Sequence, residues 1–458
     1  MPRHASEYSC VTCRQRKIKC DEAQPVCSNC QRAHRECQRP EKTVKYVLHS
    51  ADPEQQKSLF ESQIPQPRHL HDREHDSWSI LEDKLLVSAD PKAALENPVV
   101  ATLFRHYIDF LAPWYDLSDS QNLFCTLVPQ HAINNPILFK AVIAFSACHM
   151  SRTPGGHRYQ DLAHEYHAAC IRDLLAVLND IHPETQGDYL AATCLLRSYE
   201  ILNGNTRQQQ HLLGAYSFAS STHISLNLPG LSQSGTWNYL REEITMALEL
   251  RRPVRIGSGF AFVASGEMGD DMWANYMSYI LAKVVNFCFD ESGGLGRGLE
   301  EREGNWRELE KEVEGWGEKR PASFDPFSTA AKERNEFPSI WLLSPWHVAG
   351  EQYFYVAEML LALSKPSPNT PFFGIMGREE SRETIEGFAL KICGLAFTNG
   401  NVSARVNAFG PLAFCGRYLS QVHHREALVS MLQDFSIPTG WPVQPIIEDL
   451  RQHWEGEA

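Results

Sequence analysis

Six cysteines, at positions 10, 13, 20, 27, 30 and 37, fall into two C-x2-C-x6-C triplets, and the second repeats the first at a displacement of 17 residues. A Cys-x2-Cys pair brings two thiolates within reach of one metal ion, and a third cysteine nearly two helical turns further on can return to the same ion. Zinc suits such ligands, because its filled d shell accepts tetrahedral thiolate sites without redox chemistry. Each triplet supplies three sulfurs where tetrahedral zinc takes four, so neither closes a site alone. If one cysteine of each triplet bridges, six thiolates serve two zinc ions with four sulfurs each. Disulfides and two separate four-ligand sites are the alternatives. A disulfide framework belongs to small secreted domains, whereas the opening MPRHASEYSCVTC is polar and lacks the apolar core of a secretion signal.

The residues between the cysteines differ between the two halves. Arg14, Gln15, Arg16, Lys17, Ile18 and Lys19 separate Cys13 from Cys20, four basic residues in six, while the second half reads Gln31, Arg32, Ala33, His34, Arg35, Glu36. Two purely structural halves need no such asymmetry, so the first is the better partner for double-stranded DNA. A short helix held by metal can lay its exposed end in the major groove, where Lys and Arg donors meet the O6 and N7 acceptors of guanine. The plainer readings of the run are a solvated face or a nuclear import signal.

Cys10 to Cys37 closely resembles the binuclear cluster of the fungal Zn2Cys6 transcription factors. The resemblance implies that Cys10 and Cys27 bridge, that Cys13 and Cys20 complete one zinc ion, and that Cys30 and Cys37 complete the other. It also implies that the basic residue three places before the third cysteine, Lys17, reads bases; Arg16 beside it is our second candidate for a base contact. Arg14 and Lys19 are assigned to phosphates, which position a protein and supply affinity without reading sequence. Ile18 is expected to pack against the cluster. Pro25, in the loop between the halves, and Asp21, after the third cysteine, match residues the family commonly carries; a fixed backbone angle at Pro25 favours the reversal that brings the halves together. Gln38 departs from the aromatic or small residue that often follows the last cysteine.

Charge divides the chain. Residues 1 to 50 hold ten Lys and Arg against five Asp and Glu, a formal +5, whereas the whole chain is −13, so the remainder carries −18. One short nucleic-acid module joined to an acidic body fits that split. We place the zinc module at 8–40 and a flexible linker at 41–95, with prolines at 53, 65 and 67 and few regularly spaced apolar residues. Relatives commonly follow the cluster with a coiled coil, but no run of three heptads with apolar a and d positions occurs here, and Pro53 interrupts the one plausible start. A homodimer joined through the large domain and a monomer both stand. His71 and His75, spaced i, i+4 in this charged linker, read as a solvated pair.

From residue 96 the remaining 363 residues are helical in period almost throughout. Asn97-Pro98 and Asn135-Pro136 each read as an N-cap with proline in the first turn. Further helical patterns cover roughly 157–180, 186–203 with Gly204 as a stop, 208–226, 236–250, 270–290, 300–315, 346–364, 378–396, 405–434 with a break at Pro411, and 443–454. Strand alternation is scarce. The fold class is therefore all-α: a small N-terminal binuclear zinc cluster module and a large C-terminal helical domain, 96–458. Several phrases resemble the helical domain that follows Zn2Cys6 clusters, among them FRHYIDFLAPWYDLSD (104–119), NPILFKAVIAFSACHMSR (135–152), WNYLREEITMALELRRPV (237–254) and TGWPVQPIIEDLRQHW (439–454). A regulatory role is what that resemblance implies.

Catalytic patterns dissolve on inspection. His164-Glu165-Tyr166-His167 has two residues between its histidines, where the zinc-protease signature has three. Cysteines 125, 148, 170, 194, 288, 393 and 415 fall singly in apolar stretches and read as core thiols. GSGFAFVASGEMGDD (257–271) has neither the spacing nor the preceding strand of a nucleotide site and reads as a loop. Glu300 to Arg320 carries eight acidic and five basic residues around Trp306 and Trp316, the pattern of a solvated helix face. No run of 18 apolar residues is present, so no membrane span is expected. The chain thus reads as a nuclear, zinc-dependent DNA-binding regulator and not an enzyme, with DNA and transcription machinery as partners; the resemblance adds CGG-type elements and RNA polymerase II promoters. A zinc-stabilised protein-interaction scaffold is the alternative. No effector follows from the sequence.

Overall fold

Asn97 and Asn135 each precede a proline, and each starts a helix: the Asn97 carboxamide oxygen accepts from Val99 N at 2.9 Å, and that of Asn135 from Ile137 N at 3.1 Å and Leu138 N at 3.2 Å. These bonds occupy amides that the first helical turn leaves unpartnered, and proline there gives up a donor that had no partner to lose. The computed structural model describes residues 12–13, 21, 27–33, 35, 90–153, 155–177, 183–204, 211, 214–215, 226, 229–256, 260, 262, 267–289, 299–330, 337–366 and 379–456. It divides into two units, Met1–His75 and Asp76–Ala458.

In the first unit the described helix is α1, Ser28–Arg32. The second unit is built of helices α2 (Pro91–Ala94), α3 (Pro98–His106), α4 (Leu123–Ala132), α5 (Pro136–Ser151), α6 (Gln160–Val177) and α7 (Pro183–Leu202), then α8 (Leu231–Leu250), α9 (Asp270–Phe289) and α10 (Leu299–Lys319). A two-stranded antiparallel hairpin, β1 (Ser328–Ala330) with β2 (Ser339–Trp341), precedes α11 (Pro345–Leu363), α12 (Glu379–Thr398), α13 (Val402–Cys415), α14 (Val422–Thr439) and α15 (Gln444–Gly456). The all-α expectation holds, with this short hairpin as the addition. Most of the stretch expected to be helical over 208–226, and of the 257–271 loop, lies outside the described residues.

Three local departures have physical causes. The segment expected as one helix after Asn97 changes its hydrogen bonding, from α-helix through a π-turn at Tyr107–Leu111 to a 3-10 turn at Ala112–Trp114. Pro113 has no N–H to donate back into the α ladder, which favours a change of pattern before it. The break expected at Pro411 falls instead at Gly416–Tyr418, and α13 runs through the proline. An internal proline costs roughly 3 kcal/mol. Phe409, Leu412 and Phe414 around it are fully buried, and burial of such a side chain contributes about 1.5–3 kcal/mol, so packing outweighs the lost bond. One helical turn, α2, lies within the stretch read as linker, capped by Asp90 through Lys92 N at 3.0 Å.

The core forms around α8, which packs against α4, α7, α9 and α13, while α11 packs against α9, α12 and α13. At Gly410 the α13 backbone comes so close to α8 that an added Cβ would stand 2.7 Å from Thr245 Cα. The acidic helix α10 buries Trp306, Leu309, Val313 and Trp316 on one side, and both indoles donate to carbonyls at 3.0 Å, Trp306 to Leu361 and Trp316 to Trp273. Its charged residues are the outer face of an amphipathic helix, as its spacing predicts.

Histidines pair inside this unit. His106 Nε2 and His149 Nδ1 stand 3.0 Å apart, a hydrogen bond that requires one ring nitrogen to lack a proton. Burial, then the neighbouring His149, lowers the His106 pKa to about 3, and burial lowers that of His149 to about 4. Because both folded values lie below the unfolded value near 6.5, the unfolded chain binds more protons between them. Stability is present above pH 6.5 and is lost as pH falls toward 4. The thermal midpoint of the helical unit should therefore drop as pH is lowered from 7 to 4.5, with a shallower drop in His106→Gln, as followed by circular dichroism.

Candidate metal centre and nucleic-acid interface

Cys13, Cys27 and Cys30 bring their sulfurs together, all within 4.8 Å of one another, and each is 3% exposed or less. Cys13 Sγ and Cys27 Sγ are 3.6 Å apart. A disulfide holds its sulfurs at about 2.05 Å, whereas two thiolates on a tetrahedral zinc with bonds near 2.3 Å stand about 3.8 Å apart. The sulfur spacing thus fits metal ligation and does not fit a disulfide. Among the described residues, these three form the group of His, Cys, Asp or Glu side chains that converges as a metal site would require.

The local fold explains how Cys27 and Cys30 face one centre. Cys27 is the N-cap of α1, in extended conformation, and its sulfur accepts from Cys30 N at 3.4 Å. A thiolate gains from such a donor, since an N–H aimed at the sulfur favours its charged form. Asp21 adds a constraint that sequence reading attached to no function: its two carboxylate oxygens accept from Ser28 N at 3.1 and 3.2 Å. This ties the chain just after the first triplet to the start of the second triplet's helix. The one signal available in sequence is an acidic residue seven places before an unpaired first-turn amide, too common a pattern to single out.

Cys10, Cys20 and Cys37, the basic residues Arg14, Arg16, Lys17 and Lys19, and Ile18, Pro25, Gln38, His71 and His75 lie outside the described residues.

In the helical unit the other candidates take structural roles. Six of the seven later cysteines are buried, and Cys125 is half-buried. Burial raises the thiol pKa of Cys148, Cys194 and Cys288 to about 12, which keeps them protonated and poor nucleophiles. Cys393 and Cys415 approach to 3.9 Å as free thiols in hydrogen-bond contact, with no disulfide between them. His164 is exposed and lies edge-on to Tyr199, while His167 stacks on the same ring with centroids 4.1 Å apart and meets His211 at 2.9 Å; among the described residues neither histidine belongs to a group that converges as a metal site would require. None of the described helices is long and apolar enough to cross a membrane.

Comparison with known proteins places the two units. The family described as the fungal Zn(2)-Cys(6) binuclear cluster domain matches residues 8–46, and the fungal specific transcription factor domain matches residues 102–241. A domain of the first kind binds two zinc ions, and the buried thiol trio fits that demand. Transcription activator AMTR1 of Alternaria alternata is 21% identical over 343 residues, 60% of this chain and 44% of that protein. Adhesion and hyphal regulator 1 of Candida albicans is 41% identical over 69 residues, 15% of this chain and 11% of that protein. Oleate activated transcription factor 3 of Kluyveromyces lactis is 30% identical over 107 residues, 22% and 16% of the two chains. The aligned part thus spans less than half the length of these curated relatives. No solved structure matches the chain.

Replacing Asp21 with Ala should remove the cap on Ser28 at a cost of roughly 1 kcal/mol, seen as zinc lost at about fivefold lower chelator concentration while the helical unit melts unchanged. The chain carries a fungal Zn(2)-Cys(6) binuclear cluster domain followed, in that order, by a fungal specific transcription factor domain.

Proposed function

We propose that the protein is a zinc-dependent, sequence-specific DNA-binding regulator of transcription at RNA polymerase II promoters, acting in the nucleus through a short G/C-rich element of CGG type. The observation that carries this reading is the run Arg14 to Lys19, four basic residues in six set between two thiol ligands, Cys13 and Cys20. Bound zinc would supply the covalent framework that a module of this size lacks. Within it, Cys10 and Cys27 bridge, Cys13 and Cys20 complete one ion, and Cys30 and Cys37 complete the other. The central position of Cys27, 3.6 Å from Cys13 and hydrogen-bonded to Cys30 N, supports its part in that assignment.

Lys17 and Arg16 read base edges; Arg14 and Lys19 hold phosphates. The division follows from what each contact can do: a donor on guanine O6 or N7 discriminates between bases, whereas a cation on phosphate adds salt-sensitive affinity to every sequence alike. We carry the boundaries forward in the same sense, with the DNA-reading module at 8–40, a linker at 41–95 and the regulatory body at 96–458. The body would present surfaces to transcription machinery, with or without a homodimer, and the domain content favours a regulator over an enzyme.

Selection from a random duplex pool at physiological salt, followed by sequencing, tests the reading. Enrichment of G/C-rich triplets supports it; retention that is steeply salt-dependent with no enriched sequence replaces it with an interaction scaffold. Lys17→Ala should weaken the selected site by roughly 1–3 kcal/mol and relax one base position, and equal weakening on all sequences would move Lys17 to the phosphates. Cys27→Ser should release both zinc ions together, as measured by metal analysis of the purified protein, whereas retention of one ion removes the bridging role.

A further inference from the structure

Helix α8 is buried on several sides and carries Arg241, Glu242 and Glu243 in succession. The two carboxylates have ionic partners. Glu243 meets Arg252 at 2.7 Å and Arg255 at 3.4 Å. Glu242 accepts from Arg197 Nε at 3.1 Å, and Arg197 gives its Nη1 to Glu200 at 2.8 Å. Arg241 has no such partner. It is 5% exposed, with Nη1 donating to Asn275 Oδ1 at 2.9 Å and Nη2 to Asn238 Oδ1 at 3.2 Å. Both acceptors are neutral amides, held in place by their own bonds: Asn275 Nδ2 to Ser118 O at 2.9 Å, and Asn238 Nδ2 to Tyr115 O at 3.0 Å. Among the described residues no carboxylate lies within ion-pair distance of Arg241, and three of its five N–H donors have no protein acceptor.

A guanidinium keeps its charge when buried, and a buried charge without a counter-ion is a costly arrangement. Arg241 lines a cavity of about 70 Å³. Asn407, 9% exposed, lines the same cavity; its Oδ1 accepts from Tyr353 Oη at 2.8 Å, and its Nδ2 has no partner. Two residues of one lining thus carry donors without protein acceptors. A water molecule could satisfy the amide but would bring no charge to the guanidinium. Of the charged residues in the lining, Arg197 is already held by Glu200 and Glu242, so Arg241 is the charge left without an ion-pair partner. A monoanion seated against Arg241 would supply that partner, and Glu242 opposes anything more negative. Trp114, Tyr115, Tyr239 and Trp441 in the wall suit a hydrocarbon tail better than an inorganic ion. With about 10–15 Å³ needed for one water by the same kind of measure, the space holds roughly five non-hydrogen atoms.

We propose that this cavity binds a compact aliphatic monocarboxylate, its carboxylate on Arg241 and Asn407 and its hydrocarbon against the aromatic wall. The inference rests on the helical unit alone and stands apart from the DNA-reading proposal. Isothermal titration of the full-length protein with propionate and butyrate tests it, with propionamide, 1-propanol and inorganic phosphate as comparisons. Saturable one-site binding of the carboxylates, absent for the amide and the alcohol, is expected, with affinity at least about tenfold lower in Arg241→Gln. Because that variant can fail to fold, Asn407→Asp supplies a second arm: a carboxylate built in beside Arg241 takes the counter-ion's place while still accepting from Tyr353. The expected results are a higher melting temperature without ligand and loss of propionate binding. The proposal is overturned if the wild-type protein binds neither acid saturably, if propionamide or phosphate binds as well as propionate, or if Asn407→Asp lowers the melting temperature or leaves propionate binding unchanged.

Discussion

A helix packed by neighbours on several faces has little room for charge, yet α8 carries three charged residues in a row, and the arrangement of the helical unit follows from accommodating them. Each needs a partner at a set height along an adjoining element: Arg197 on α7 for Glu242, Arg252 and Arg255 beyond the end of α8 for Glu243, Asn275 on α9 for Arg241. Removing one member of a buried ion pair costs about 3–5 kcal/mol, more than most single apolar contacts contribute. The partners therefore set the register of α7 and α9 against α8, while the surrounding apolar side chains supply most of the favourable free energy.

The same neighbourhood holds a close helix contact and a cavity side by side. At Gly410 the backbones of α8 and α13 nearly touch, and no side chain fits between them. Asn407, one turn earlier on α13, and Arg241, one turn before Thr245 on α8, line open space instead.

The N-terminal module solves a different problem. Its described helix has five residues, too short to persist on its own propensity, and among the described residues its buried apolar-type side chains are the thiols Cys13, Cys27 and Cys30. Metal ligation by these thiols would hold such a short helix in place, and Asp21 on Ser28 adds a polar tie between the halves.

The metal centre was legible to the extent that ligation imposes chemistry on adjacent residues: the paired triplets point to thiolate ligands for two zinc ions without any knowledge of the fold, and the structure brings Cys13, Cys27 and Cys30 together. Helical class and caps were legible for a related reason, since Asn97-Pro98 and Asn135-Pro136 act within a turn of themselves. What the sequence could not announce depends on residues far apart in the chain. Pro411 reads as a break until the burial of Phe409, Leu412 and Phe414 outweighs it, and Trp306 and Trp316 read as part of an acidic run until their indoles meet α11 and α9. Arg241 stands in the sequence directly before two glutamates. Only tertiary packing sends those glutamates to Arg197, Arg252 and Arg255 and leaves Arg241 on a cavity with neutral partners, because which charges meet inside a core is decided by the helices that surround them and not by their order along one.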